Sequence, residues 1–132
     1  MPNKLKILLV DDSEKIISHL KCMLSSVEGT TIVGAAGTLP QAQEIIKGNS
    51  VDVITLDIQL PDGNGIDFLK WVKFTHPKIM VIMLSNLVDD CHRAAARIAG
   101  AEYYFDKSME FEQVGIVLSQ LANKKSSSLL KK

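Results

Sequence analysis

The stretch VDVITLDIQLPDGNG, residues 51–65, decides the fold. A run of β-branched and apolar residues stops at a single carboxylate, Asp57, and then meets the turn cluster Pro61-Asp62-Gly63-Asn64-Gly65. Val51–Leu56, so composed and so bounded, is predicted to be a buried strand, with Asp57 emerging at its carboxyl end. In open α/β sheets that edge is where ligands and chemistry collect, so the other residues delivered there become the candidates for function.

The same grammar recurs along the chain. Leu5–Val10 is a short apolar run that ends at Asp11-Asp12, after which Ser13 can cap a helix carrying Ile16, Ile17, Leu20, Leu24 and Val27 up to Gly29. Thr31–Ala35 reads as a second strand, and Thr38 with Pro40 opens a helix that runs to Gly48. Gly65 precedes a helix with Ile66, Phe68, Leu69, Trp71 and Val72, which must stop before Pro77. Ile79–Leu84 is a fourth strand ending at Ser85; Asp89 or Asp90 then starts an alanine-rich helix closed by Gly100. Tyr103–Phe105 is a fifth strand ending near Asp106-Lys107, and Phe111, Val114, Val117, Leu118 and Leu121 stripe a last helix. Five strands alternate with five helices, and strands apolar on both faces belong in a parallel sheet covered on each side.

Composition sets the class. A chain of 132 residues is sized for one domain, and with 46% apolar residues and 15 basic against 15 acidic side chains it carries neither a disordered character nor a basic field for nucleic acid. The longest apolar stretch, Ile79–Leu84, is far short of a membrane span, and no extended apolar segment follows the N-terminal lysines, so a cytoplasmic protein is expected. Cys22 and Cys91 have no paired-ligand spacing and are expected to be buried free thiols in helices. His19, His76 and His92 fall on helices or beside a proline and are assigned to surface or packing. The tail Asn123–Lys132 turns to lysine and serine and is expected to be a flexible end or the start of a linker.

The polar residues that follow the apolar runs converge. Asp11 and Asp12 follow the first strand, Asp57 the third, Ser85 the fourth and Lys107 the fifth, all at one edge of one sheet. Three ionised carboxylates gathered there repel one another, and a divalent cation resolves the conflict. Hard oxygen donors, few in number and with room for waters, suit Mg²⁺ better than zinc. A cation, an ammonium and a hydroxyl around one carboxylate make a site for holding a phosphoryl group, with Asp57 as the nucleophile.

These residues resemble the receiver domains of two-component response regulators, the CheY-like group, over about residues 5–122. The likeness lies in the Asp11-Asp12 pair, Asp57 followed by LPDGNG, Ser85 after the fourth strand, and the block Gly100, Ala101, Tyr104 and Lys107. It implies a flavodoxin-like (βα)5 sandwich with strand order 2-1-3-4-5, which would place Asp11, Asp12 and Asp57 together where the strand order reverses. It further implies Asp57 as phosphoacceptor, with Asp12, Asp57 and the backbone carbonyl of Gln59 as Mg²⁺ ligands and Asp11 acting through a water on the metal. Ser85 would contact the phosphoryl oxygen, Lys107 would bridge it, and Tyr104 would turn inward as Ser85 moves. The implied donor is a phosphohistidine on a sensor histidine kinase or histidine phosphotransfer protein. The face made by the fourth helix, fifth strand and fifth helix would change on phosphorylation and contact a downstream effector, or an output domain outside this chain. The chain would be a monomer, with dimerisation on phosphorylation the alternative.

Ser108 follows Lys107 where many members of that group have proline, and Gln59 and Leu87 occupy positions expected to set the lifetime of the phosphorylated form. The segment TIVGAAGTLPQAQEII, residues 31–46, is similar to receivers attached to helix-turn-helix output domains; a stand-alone receiver and one cut from a longer regulator both fit. Two other classes compete. An aspartyl-nucleophile phosphatase normally needs a second Asp two residues beyond the first, where Gln59 stands, and a cap insertion that is missing. A receiver fold kept only as a phosphorylation-independent binding module normally loses an acidic residue or the lysine, and all are present. The expectation is therefore a signalling domain, not an enzyme beyond its own phosphorylation and dephosphorylation.

Overall fold

The computed structural model describes residues 4–130, and side chains within residues 4–125. The elements in order are β1 (Leu5–Val10), α1 (Glu14–Leu24), β2 (Thr30–Ala36), α2 (Leu39–Gly48), β3 (Val53–Leu56), β4 (Gln59–Leu60), β5 (Gly63–Asn64), α3 (Gly65–Thr75), β6 (Met80–Ser85), α4 (Asp90–Ala99), β7 (Tyr103–Asp106) and α5 (Phe111–Leu130). β4 and β5 form a two-residue antiparallel ribbon; the other five strands form one parallel sheet in the order β2-β1-β3-β6-β7. With the ribbon set aside this is the expected order 2-1-3-4-5.

Period-two alternation sorts the strand side chains onto two cores. On one face Leu8, Val10, Ile54, Leu56, Val81 and Met83 meet α2, α3 and α4 through Ala42, Ile46, Phe68, Leu69, Val72 and Ala96. On the other, Ile7, Leu9, Val53, Ile82 and Leu84 meet α1 and α5 through Leu20, Leu24, Val114, Leu118 and Ala122. Capping residues start the helices where the sequence puts them. Ser13, Thr38 and Asp89 accept from the backbone N–H groups of Ile16, Gln41 and His92, and Gly100 closes α4 at a φ of 109°.

Four local expectations change. α1 stops at Leu24, where the Ser25 N–H donates to the Lys21 carbonyl, so Val27 lies beyond the helix although it still packs on the second core. β3 begins at Val53, because the Asp52 carboxylate takes the Lys6 N–H and its backbone bridges β1 and β6 instead. Cys22 and Cys91 are free but exposed, since the apolar stripes of their helices turn other residues inward. The flexible tail is a helix as far as Leu130, seated by buried Ala122 and by Lys125, whose Nζ lies 2.7 Å from Asp52 Oδ2. Residues 131–132 lie outside the described residues. No helix among the described residues is long and apolar enough to cross a membrane.

Candidate functional site

Sheet register brings the strand-end residues together. The Asp11 N–H donates to the Ala36 carbonyl at 3.0 Å and the Asp57 N–H to the Val10 carbonyl at 3.1 Å, which fixes the ends of β1, β2 and β3 side by side. Ser85 lies opposite Asp106 in the β6–β7 ladder, and the Lys107 N–H donates to the Ser85 carbonyl at 2.9 Å. The carboxylates of Asp11, Asp12 and Asp57 each offer an oxygen within 4.8 Å of the others. Asp11 and Asp57 are buried at 4% and 7% exposure, while Asp12 is open to solvent.

Lys107 enters this acidic group from the β7–α5 loop. Its Nζ is 2.7 Å from Asp11 Oδ2 and 3.0 Å from Asp57 Oδ2, with only a tenth of its side chain exposed. The loop is shaped by Asp106, whose Oδ1 accepts from the N–H groups of Ser108 and Met109 at 2.9 and 3.4 Å. No cis peptide bond occurs among the described residues, so the serine after Lys107 is reached through a trans bond. Burial alone would lower the Lys107 pKa, but pairing with Asp11 and Asp57 outweighs it and the ammonium is held above its ordinary range. Asp11 shifts the other way from what a paired carboxylate normally does. Its desolvation exceeds the help from Lys107 and the Ser13 N–H, and Asp57 adds repulsion, so its carboxyl is pushed up.

The site fits a divalent cation. Three carboxylates and one ammonium leave two negative charges, and Asp11 Oδ2 is a buried oxygen without a well-directed hydrogen bond, even though Lys107 lies close to it. All-oxygen donors on a half-open edge match Mg²⁺ rather than a soft metal. Gln59 is exposed at the start of the ribbon, and its N–H lies 3.4 Å from Asp57 Oδ1.

Ser85 is buried at 1% exposure, and its Oγ accepts from the Leu87 N–H at 3.1 Å. The Tyr104 hydroxyl donates to the Leu87 carbonyl, so Ser85 and Tyr104 are joined through one residue of the β6–α4 loop. Desolvation pushes the Tyr104 phenol up, partly offset by Ser85 and by the Arg93 charge. Of the histidines, His92 pairs with Asp89 on the surface, His76 lies against Trp71 and His19 meets the edge of Phe111; none joins the cluster.

Two neighbours were not legible in the sequence. Arg93 lies over the Tyr104 ring, with its guanidinium carbon 5.0 Å from the ring centroid. Gly65 sits so close beneath Asp57 that an added Cβ would fall 2.0 Å from the Asp57 carbonyl oxygen. The repeated glycines of the 61–65 turn are the one signal that a close backbone approach follows Asp57.

The chain belongs to the response regulator receiver domain family, whose model matches residues 7–118. Among curated proteins it is 40% identical over 111 residues to the protein-glutamate methylesterase/protein-glutamine glutaminase 2 of Vibrio vulnificus, a match that covers 81% of this chain and 31% of that protein. It is 30% identical to the DNA-binding transcriptional activator DevR/DosR of Mycobacterium tuberculosis, over 96% of this chain and 62% of that one. The crystal structure of the response regulator domain of Thermotoga maritima CheB superposes with a TM-score of 0.78 at 31% identity, covering 92% of this chain and 95% of that domain. The first curated relatives are much longer, and the matches span between 27% and 32% of their length.

Proposed function

We propose that this chain is the phosphoryl-accepting receiver of a two-component phosphorelay and that Asp57 is its phosphoacceptor. The observation that carries the reading is the cluster of Asp11, Asp12 and Asp57 within 4.8 Å, with Lys107 Nζ at 2.7 and 3.0 Å from the two buried members. An Asp57 carboxylate oxygen forms a bond to phosphorus as the phosphorus–nitrogen bond of a phosphohistidine breaks, and the electron pair leaves with the imidazole of a histidine kinase or phosphotransfer protein. Asp12, Asp57 and the Gln59 carbonyl would hold a Mg²⁺ ion, with Asp11 acting through a water on it, and the ion would supply charge neutralisation for the phosphoryl oxygens. Lys107, already carrying an ammonium between Asp11 and Asp57, would follow the phosphoryl oxygen as charge moves onto it. Ser85 would turn its hydroxyl to the same group, and Tyr104 would report that movement through the Leu87 carbonyl.

The reading extends to a cytoplasmic signalling unit of about residues 1–122, followed by a tail or linker stub into which α5 continues. The surface of α4, β7 and α5 would meet an effector or output domain, and the chain would perform no chemistry beyond gaining and losing its own phosphoryl group. Likeness to both a methylesterase receiver and a DNA-binding activator leaves the output class to experiment. Intact mass after incubation with acetyl phosphate tests the site: a single adduct that needs Mg²⁺ and is lost in Asp57→Asn is expected. A folded wild type that takes no adduct from acetyl phosphate or from a phosphorylated histidine kinase would favour a phosphorylation-independent binding module.

A further inference from the structure

Arg93, on the first turn of α4, contacts three segments around the proposed switch. Its Nε donates to the Val88 carbonyl at 3.1 Å, in the loop after β6. Its Nη1 reaches the Tyr104 carbonyl at 3.4 Å, and the guanidinium carbon lies 5.0 Å from the centroid of the Tyr104 ring. Its Nη2 is 3.7 Å from Glu110 Oε1, and that same oxygen accepts from the N–H of Asp106, the residue before Lys107. The Tyr104 ring also packs against the apolar core, and its hydroxyl is on the Leu87 carbonyl. One planar cation therefore ties the β6–α4 loop, the switch tyrosine and the loop bearing Lys107 into a single arrangement, a geometry that a point charge such as lysine does not reproduce.

We infer that Arg93 is a positioning residue that holds Tyr104 inward and biases the Ser85–Tyr104 switch before any phosphoryl group arrives. The inference rests on the receiver reading given above. If phosphorylation of Asp57 favours the inward tyrosine, reciprocity requires that whatever favours the inward tyrosine also favours phosphorylation. Tyr104 need not wait for the phosphoryl group to be drawn in, because Arg93 already covers it. The size of the bias follows from a cation–π contact at a half-exposed site, which shifts the inward-to-outward ratio by about two- to fivefold.

The chain has two tyrosines, so 3-fluorotyrosine in a Tyr103→Phe background reports Tyr104 alone. In the full chain without phosphate, Arg93→Ala is expected to move the fluorine resonance toward that of the free amino acid in water. The same variant should lower the phosphorylated-to-unphosphorylated ratio reached with acetyl phosphate, by up to about two- to fivefold. Arg93→Lys keeps the charge without the planar fork and should fall between. Arg93→Met keeps the packing of the stem and should behave as Arg93→Ala; it carries the test if the alanine variant does not fold. A resonance that stays at the wild-type position in both neutral variants overturns the clamp. A moved resonance with an unchanged phosphorylated-to-unphosphorylated ratio overturns its role in the switch. A wild type that accepts no phosphoryl group refutes the receiver reading itself, and the fluorine result then judges separately whether Arg93 holds the ring.

Discussion

Replacing Gly65 with alanine perturbs the phosphoacceptor from behind. The new Cβ would stand 2.0 Å from the Asp57 carbonyl oxygen and 2.9 Å from both the Asp57 carbonyl carbon and the Ile58 Cα. Non-bonded heavy atoms rest at about 3.5 Å or more, so the start of α3 and the end of β3 must part by roughly 1.5 Å. The obstacle is backbone on both sides, and no side chain can swing away to absorb it. Separation also stretches the Gly65 N–H bond to the Ile58 carbonyl, now 2.7 Å. Overpacking of this kind costs about 1–3 kcal/mol, and the gain from replacing glycine in a helix, about 0.5–1 kcal/mol, offsets only part of it. The net cost is up to about 2.5 kcal/mol, and at about 3 °C per kcal/mol for a chain of this size Tm should fall by up to roughly 8 °C. Phosphorylation should fall further than that destabilisation alone explains, because Asp57 itself is displaced. Gly48→Ala is the control: nothing lies within 4 Å of its Cβ, and the change should be neutral or stabilising by up to about 1 kcal/mol. Urea unfolding followed by Trp71 fluorescence, with phosphorylation rates on the same samples, decides the matter. A Gly65→Ala protein as stable and as reactive as wild type would refute the close-approach reasoning.

Mg²⁺ at about a hundred times its dissociation constant should stabilise the wild type against unfolding by about 2.7 kcal/mol, and that gain should be absent in Asp12→Ala; an equal gain in both would place the ion elsewhere. Asp52→Ala should destabilise more than Lys125→Ala, because Asp52 also accepts the Lys6 N–H; the ion pair is partly exposed and by itself is worth about 0.2–1 kcal/mol, and amide exchange over residues 123–130 should quicken in both. The Tyr104 phenol, measured by tyrosinate absorbance in Tyr103→Phe, should titrate above its ordinary value of 10.0. Its folded pKa is raised, so the stability it contributes is complete below the unfolded pKa and is lost as pH rises through the folded one; a midpoint at or below the ordinary value would contradict its burial.

Most of the architecture was legible because the chain is locally consistent with it. Apolar runs that end abruptly at Asp11, Asp57 and Ser85 mark parallel strands and deliver the polar residues to one edge. Ser13, Thr38, Asp89 and Gly100 bracket helices by chemistry that acts within a few residues. What escaped depends on distant partners. The composition of residues 123–130 predicts a loose end, yet Lys125 finds Asp52, 73 positions away in the chain, and α5 continues. Cys22 and Cys91 lie in amphipathic helices whose rotation about the axis, fixed by bulkier neighbours, leaves them outside. Gly65 and Arg93 gain their importance only when β3 meets α3 and α4 meets β7, contacts that no local pattern encodes.

Intact mass after treatment with acetyl phosphate, with and without Mg²⁺, on the wild type and Asp57→Asn bears most directly on the proposed function. One base-labile phosphoryl adduct that requires Mg²⁺ and vanishes in the folded mutant is the predicted result. An adduct that persists in Asp57→Asn, or that forms equally well without the metal, would contradict the assignment of Asp57 and its acidic neighbours as the phosphoryl-accepting site.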